Sequence, residues 1–120
     1  MPGGVVTHLL EDAVVIDWIS QAHLAAEITA SVCTGAFLLN RAGLLDGRTG
    51  TTHWEDIADL RREAPHTVVL DDVPYVDEGR IVTSAGVSSG IEMSLHLVGR
   101  LTTPDLARRT ARQIEYAFAG

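Results

Sequence analysis

Glu27-Ile28-Thr29-Ala30-Ser31-Val32-Cys33-Thr34-Gly35-Ala36-Phe37-Leu38-Leu39-Asn40 is the stretch that decides the fold. Glu27 to Val32 reads as a short buried strand. Thr34 to Ala42 takes up a helical pattern with no intervening turn, and Gly43 ends it. Cys33 therefore sits at a strand-to-helix corner. Such a corner is sharp, lifts its side chain above the sheet edge, and is expected in a sparsely populated backbone region. The small neighbours Gly35 and Ala36 let a substrate and the preceding backbone come close. A thiol beside a helix N-terminus also meets backbone N–H groups and the positive dipole end, which favour the thiolate. A lone cysteine is more often buried and inert; its place at the corner argues for a reactive one.

Outward from the corner, strands and helices alternate. Leu10, Val14, Ile16, Trp18 and Ile19 recur at near-helical spacing, predicting an amphipathic helix from about Leu9 to His23. Thr49 to Thr52 is β-prone, Trp54 to Glu63 reads as helix closed by Pro65, and Thr67 to Asp71 as a compact apolar strand. Tyr75 to Asp77 and Arg80 to Ser84, joined at Glu78-Gly79, predict a hairpin. Gly86 to Gly90 is expected as a loop before an apolar helix over Ile91 to Leu101, with Ser89 and Glu92 as a capping box. Pro104 opens a last helix to about Tyr116. This alternation implies an α/β sheet with helices on both faces, in which reactive residues gather at the C-terminal ends of strands.

A second corner competes with the first. Gly86-Val87-Ser88-Ser89-Gly90 is a literal G-x-S-x-G between strand and helix. That motif needs an acid and then a histidine further on, yet the histidine after Ser88 is His96, on the same helix with only Glu92 between. Residues two turns apart on one helix cannot fold back into a triad. Ser88 and Ser89 are therefore expected to cap a helix. His53, in Thr51-Thr52-His53-Trp54, ends the next strand, and adjacent strand ends would bring it near Cys33; a lone histidine beside a tryptophan is more often structural. His8, His23, His66 and His96 have no ligand spacing with one another or with Cys33, so no zinc site is expected.

Composition bounds the function. The 120 residues are 46% hydrophobic and 21% charged, the profile of one soluble globular domain. Sixteen acidic residues against nine arginines give a net charge of −7, which disfavours nucleic-acid binding through this segment. One cysteine cannot form an internal disulfide, no apolar run has membrane-spanning length, and the first residues lack signal-peptide chemistry; the cytoplasm is the expected location.

These pieces together resemble the DJ-1/PfpI superfamily, within the class I glutamine-amidotransferase-like fold. The matching pieces are Pro2-Gly3-Gly4, Ser31-Val32-Cys33-Thr34-Gly35, Ala42-Gly43-Leu44-Leu45-Asp46-Gly47, Thr51-Thr52-His53-Trp54 and Thr83-Ser84-Ala85-Gly86-Val87, with twenty positions from Cys33 to His53. Cys-Thr-Gly at the elbow and Thr-Thr-His-Trp are similar to two subgroups, the isonitrile hydratases and the sensor domains of AraC-type transcription regulators. Gln113-Ile114-Glu115-Tyr116 is similar to the close of the hydratase domains. The peptidase branch usually has histidine directly after its cysteine, where this chain has Thr34.

The resemblance implies a flavodoxin-like doubly wound α/β sandwich and no metal or organic cofactor. It implies Cys33 as nucleophile, the N–H groups of Gly4 and Thr34 as an oxyanion-hole-like donor pair, the Thr34 hydroxyl as a polar contact, and His53 as a histidine near the cysteine. The partner implied is a small-molecule substrate or ligand. In the family an acid from the first βα unit, upstream of the Pro-Gly-Gly turn, bonds the cysteine and shuttles protons. None of the sixteen acidic residues here stands at a matching position. The chain, residues 1–120, is thus expected to be a single partial domain missing its first βα units. Impaired chemistry and a homodimer or other self-association through an uncovered face or edge are expected with it.

Overall fold

The computed structural model of the chain describes residues 1–118. Helix α1 spans Ala13–Ala25, β1 Thr29–Ser31, α2 Gly35–Arg41 and β2 Thr49–Gly50. A 3-10 turn, Trp54–Asp56, leads into α3 (Ile57–Glu63), followed by β3 (Val68–Val69), β4 (Tyr75–Asp77), β5 (Ile81–Ser84), α4 (Val87–Leu101) and α5 (Pro104–Gln113). Strands β1, β5 and β4 form one sheet in that order, β1 parallel to β5 and β4 antiparallel to it. Strands β2 and β3 form a separate parallel pair.

Side-chain alternation along β1 and β5 explains the two layers. Thr29 pairs with Ile81 and Ser31 with Thr83 on one face, Ala30 with Val82 on the other. The first face carries the main core, in which Ile81 packs with Ile19 of α1, Phe37, Leu38 and Leu39 of α2, and Leu60 of α3. On the second face α4 comes so close that a Cβ built at Gly90 would lie 2.9 Å from Val32. Helix α5 packs on α4, burying Ala107 and Ala111. Helices cover both faces, as the alternation of elements predicts.

Three expectations need correction. Helix α1 begins at Ala13 rather than Leu9, because the Asp12 side chain caps it, accepting the N–H groups of Val14 at 3.0 Å and Val15 at 3.3 Å. Ser88 and Ser89 do not cap α4. Gly86 already stands extended at φ −69°, ψ −175°, so the helix starts at Val87 and both serines fall in its first turn, with no side-chain cap. Finally, β2 is not the neighbour of β1, which lies beside β5 instead. Strands β2 and β3, two residues each, share no backbone ladder with the larger sheet; side-chain bonds join them to it, Thr51 N–H to Thr83 Oγ1 at 2.9 Å and Thr49 N–H to the Glu78 carboxylate.

Candidate active site

Cys33 belongs to no helix or strand. Strand β1 ends at Ser31, α2 starts at Gly35, and Cys33 between them has φ +55°, the left-handed region that costs an ordinary residue about 1–2 kcal/mol. The strained corner expected from the sequence is present. Bonds on both sides of the residue hold it there. Its N–H donates to the Ala85 carbonyl at 2.8 Å and less closely to Ser84 at 3.2 Å. Its own carbonyl accepts the Thr52 hydroxyl at 2.8 Å. Thr52 is 1% exposed, one of five buried hydroxyl residues (Ser31, Thr51, Thr52, Thr83, Ser84) under the corner. The Ser84 hydroxyl donates to the Ser31 carbonyl at 2.9 Å, whereas the Ser31 hydroxyl is buried without a partner among the described residues.

The opening turn is seated on the corner. The Val32 N–H donates to the Met1 carbonyl at 2.9 Å, and the Met1 amino group donates to the Ala30 carbonyl, so the first residue lies along β1. The contact depends on two glycines. A Cβ at Gly3 would stand 2.7 Å from Cys33 Cβ and 2.8 Å from the Val32 carbonyl oxygen, and one at Gly35 would strike the Met1 carbonyl. Neither obstacle is the far end of a flexible side chain, so only glycine fits at either position.

Gly4 and Thr34 meet through the Thr34 side chain, not as a pair of N–H groups. The Gly4 N–H donates to Thr34 Oγ1 at 2.9 Å, and that hydroxyl donates to the Gly4 carbonyl at 2.7 Å. The Gly4 N–H is engaged, so it can serve a bound oxygen only when the Thr34 hydroxyl turns away. The Thr34 N–H donates to no group among the described residues. It is the open donor beside Cys33.

β2 is not the neighbour of β1, so adjacent strand ends do not deliver His53 to Cys33 as expected. Thr52, immediately before it, binds the Cys33 carbonyl, and the His53 Cδ2 edge lies 3.6 Å from where a Gly86 Cβ would stand. Among the described residues no hydrogen bond joins His53 to Cys33. The ring accepts the Glu55 N–H at Nδ1, 3.2 Å away. The carboxylates of Asp56 and Glu55 stand 3.6 and 3.8 Å from the same Nδ1.

Two cavities lie near the corner, and Cys33 lines neither. One of about 420 Å³ opens beside Thr52 and Ala85, two of the residues bonded to Cys33, and is walled by Trp54, Asp72, Pro74 and Gly86. The other, about 500 Å³, is bounded by Gly4 and Thr34 with Phe37, Arg41, Glu11 and Asp56. Sequence reading missed both this acidic and basic wall and Thr52. The wall is assembled from segments that share no spacing, whereas Thr52 stood in plain sight inside the Thr-Thr-His-Trp stretch.

A family model described as the DJ-1/PfpI family matches residues 1–100, five-sixths of the chain. The chain belongs to the DJ-1/PfpI family. An isonitrile hydratase from Pseudomonas putida is 38% identical to this DJ-1/PfpI chain over 120 residues, 99% of the chain and 51% of the hydratase. The HTH-type transcriptional regulator CdhR from Pseudomonas aeruginosa is 33% identical over 98 residues, 82% of the chain and 29% of the regulator. A THiJ/PfpI family protein from Pseudomonas syringae, known as a crystal structure, is 26% identical with a TM-score of 0.80 over 92% of this chain and 45% of that one. The fold is therefore the α/β fold of DJ-1/PfpI proteins, as the resemblance implies. The chain spans about half the length of the hydratase and under a third of the regulator.

Proposed function

We propose that this chain is a partial DJ-1/PfpI domain with isonitrile hydratase-like, cysteine-dependent chemistry at Cys33. The observation that carries the reading is the strained corner at φ +55°, with Cys33 bonded through both its N–H and its carbonyl and the Thr34 N–H open beside it. Likeness to an isonitrile hydratase along 99% of the chain supports the substrate class. The Cys33 thiolate attacks the terminal carbon of the isonitrile while that carbon takes up a proton, giving a thioimidate. Water then adds to the same carbon and the C–S bond breaks, releasing the N-formamide and the thiolate. An oxygen that develops negative charge in the second step finds the Thr34 N–H.

Proton delivery is the weak point of this site. No carboxylate is hydrogen-bonded to Cys33 among the described residues, whereas the family sets an acid against its cysteine. General acid–base partners contribute about 10²–10⁴-fold, so the chain should turn over isonitrile at a trace rate. The test is loss of isonitrile absorbance with identification of the formamide, for the chain and for Cys33→Ser. Slow formation that vanishes in Cys33→Ser supports the reading; equal rates in both defeat it. Robust turnover would leave the nucleophile in place and refute the impairment. Cytoplasmic location and self-association belong to this same proposal, the latter supported by the exposed Val14, Trp18 and Leu24 of α1.

A ligand-sensing role has its own support in the regulator that matches 82% of the chain. An isonitrile that raises the melting temperature of the chain without being consumed would favour sensing over catalysis.

A further inference from the structure

We propose that Thr52 is a positioning residue that aims the Thr34 N–H at the oxygen of a molecule reacting at Cys33. The inference rests on the reading of Cys33 as the nucleophile. It starts from the peptide plane shared by Cys33 and Thr34. A peptide unit is planar, and none in this chain is cis, so the Cys33 carbonyl and the Thr34 N–H point in opposite directions from one rigid plate. Whatever holds the carbonyl also aims the N–H.

The Thr52 hydroxyl donates to that carbonyl at 2.8 Å. Thr52 is 1% exposed, and its bond to the carbonyl is partly buried, which limits competition from water. The plate needs a hold, because Cys33 at φ +55° lies outside the broad minima of its residue type and gains by rotating away. The Cys33 N–H is bonded to Ala85 and Ser84, which fixes the preceding peptide plane; the plane that follows is held by Thr52. The Thr34 N–H at the opposite end of that plate has no partner among the described residues, as a donor kept for a transient oxygen should. Thr52 touches no reacting atom and acts through the plate.

Two reagents separate aim from fold. p-Nitrophenyl acetate acylates the thiolate: sulfur bonds to the carbonyl carbon, the carbonyl oxygen carries the negative charge in the tetrahedral adduct, and p-nitrophenolate leaves. Iodoacetamide alkylates the same sulfur by displacing iodide, and no oxyanion forms. Thr52→Val should slow acylation at least tenfold, towards the roughly 10²–10³-fold lost with one oxyanion donor. Alkylation should stay within about threefold of the parent chain, a drop too small for the loss of that donor. Thr52→Ser, which keeps the hydroxyl, should restore acylation. Thr51→Val is the structural control: it removes a bond of similar length, 2.9 Å to the Leu70 carbonyl, and should leave both rates in place.

Acylation unchanged in Thr52→Val, or slowed equally with alkylation, overturns the role of Thr52 while leaving Cys33 a nucleophile. If Thr52→Val fails to fold, Thr52→Ala takes its place. Should neither fold while Thr51→Val does, the hydroxyl serves the fold and the inference fails. A parent chain acylated no faster than its unfolded form refutes the reading of Cys33 itself, and the role of Thr52 with it.

Discussion

At the scale of single residues, the corner holds Cys33 in a strained left-handed conformation. Cys33→Gly should remove the left-handed strain, worth about 1 kcal/mol, so its unfolding free energy in urea should be no lower than the parent's although a side chain is gone. A clear loss of stability in Cys33→Gly would mean that the side chain holds the corner instead of being carried by it. Gly35→Ala should cost about 1–3 kcal/mol, because its methyl group meets backbone at Met1 and Pro2 that cannot rotate away. Cys33 was legible in the sequence because a strand pattern and a helix pattern met on one residue with nothing between. The contact between Thr34 and Gly4 was legible only in part. That the Gly4 N–H is taken by the Thr34 hydroxyl depends on a hydroxyl rotation, for which a sequence carries no signal.

Element by element, the hairpin of β4 and β5 is fastened to α4 by Asp77. This carboxylate meets His96 Nε2 at 2.7 Å, both Arg100 contacts at 2.9 Å and the Gly79 N–H at 2.8 Å, and His96 stacks on Tyr75. Burial pushes the carboxyl up, but the bonds from His96, Gly79 and Arg100 outweigh it and hold it below its ordinary 3.8. Its contribution to stability is therefore present above pH 3.8 and is lost as pH falls through the lower folded value. Asp77→Asn should cost about 1–2 kcal/mol at neutral pH, discounted for partial exposure, and should flatten that acid limb.

His23, under the start of β1, works in a higher window. Its Nδ1 pairs with Thr29 Oγ1 at 2.6 Å, and burial, then Arg80 and Arg48, hold it below its ordinary 6.5. The unfolded chain takes up this proton first as pH falls below 6.5, so folding weakens there by up to about 1.4 kcal/mol per pH unit. Urea titrations between pH 7 and 5 should show a smaller fall for His23→Gln; identical slopes would contradict this account. The hairpin was readable from Glu78-Gly79 between two apolar runs. The order of strands was not, because β1 and β5 meet across about fifty intervening residues and no local pattern encodes that pairing.

For the whole molecule, the core lies between the sheet and helices α1 to α3, while α1 turns Val14 and Trp18 outward one helical turn apart. An apolar patch of this kind on a chain of net charge −7 favours self-association. Light scattering should find a species larger than one chain, and Trp18→Glu should shift it towards the monomer; a parent chain already monomeric at high concentration would contradict this. The central claim is that the fold delivers Cys33 as a nucleophile, and it has a direct measurement. The rate of Cys33 alkylation by iodoacetamide is compared at pH 7 for the folded chain and for the same chain unfolded in denaturant. Partial burial alone would slow the folded thiol, whereas a corner built to present it should make the folded chain react several-fold faster. A folded thiol that reacts more slowly than the unfolded one would contradict the account.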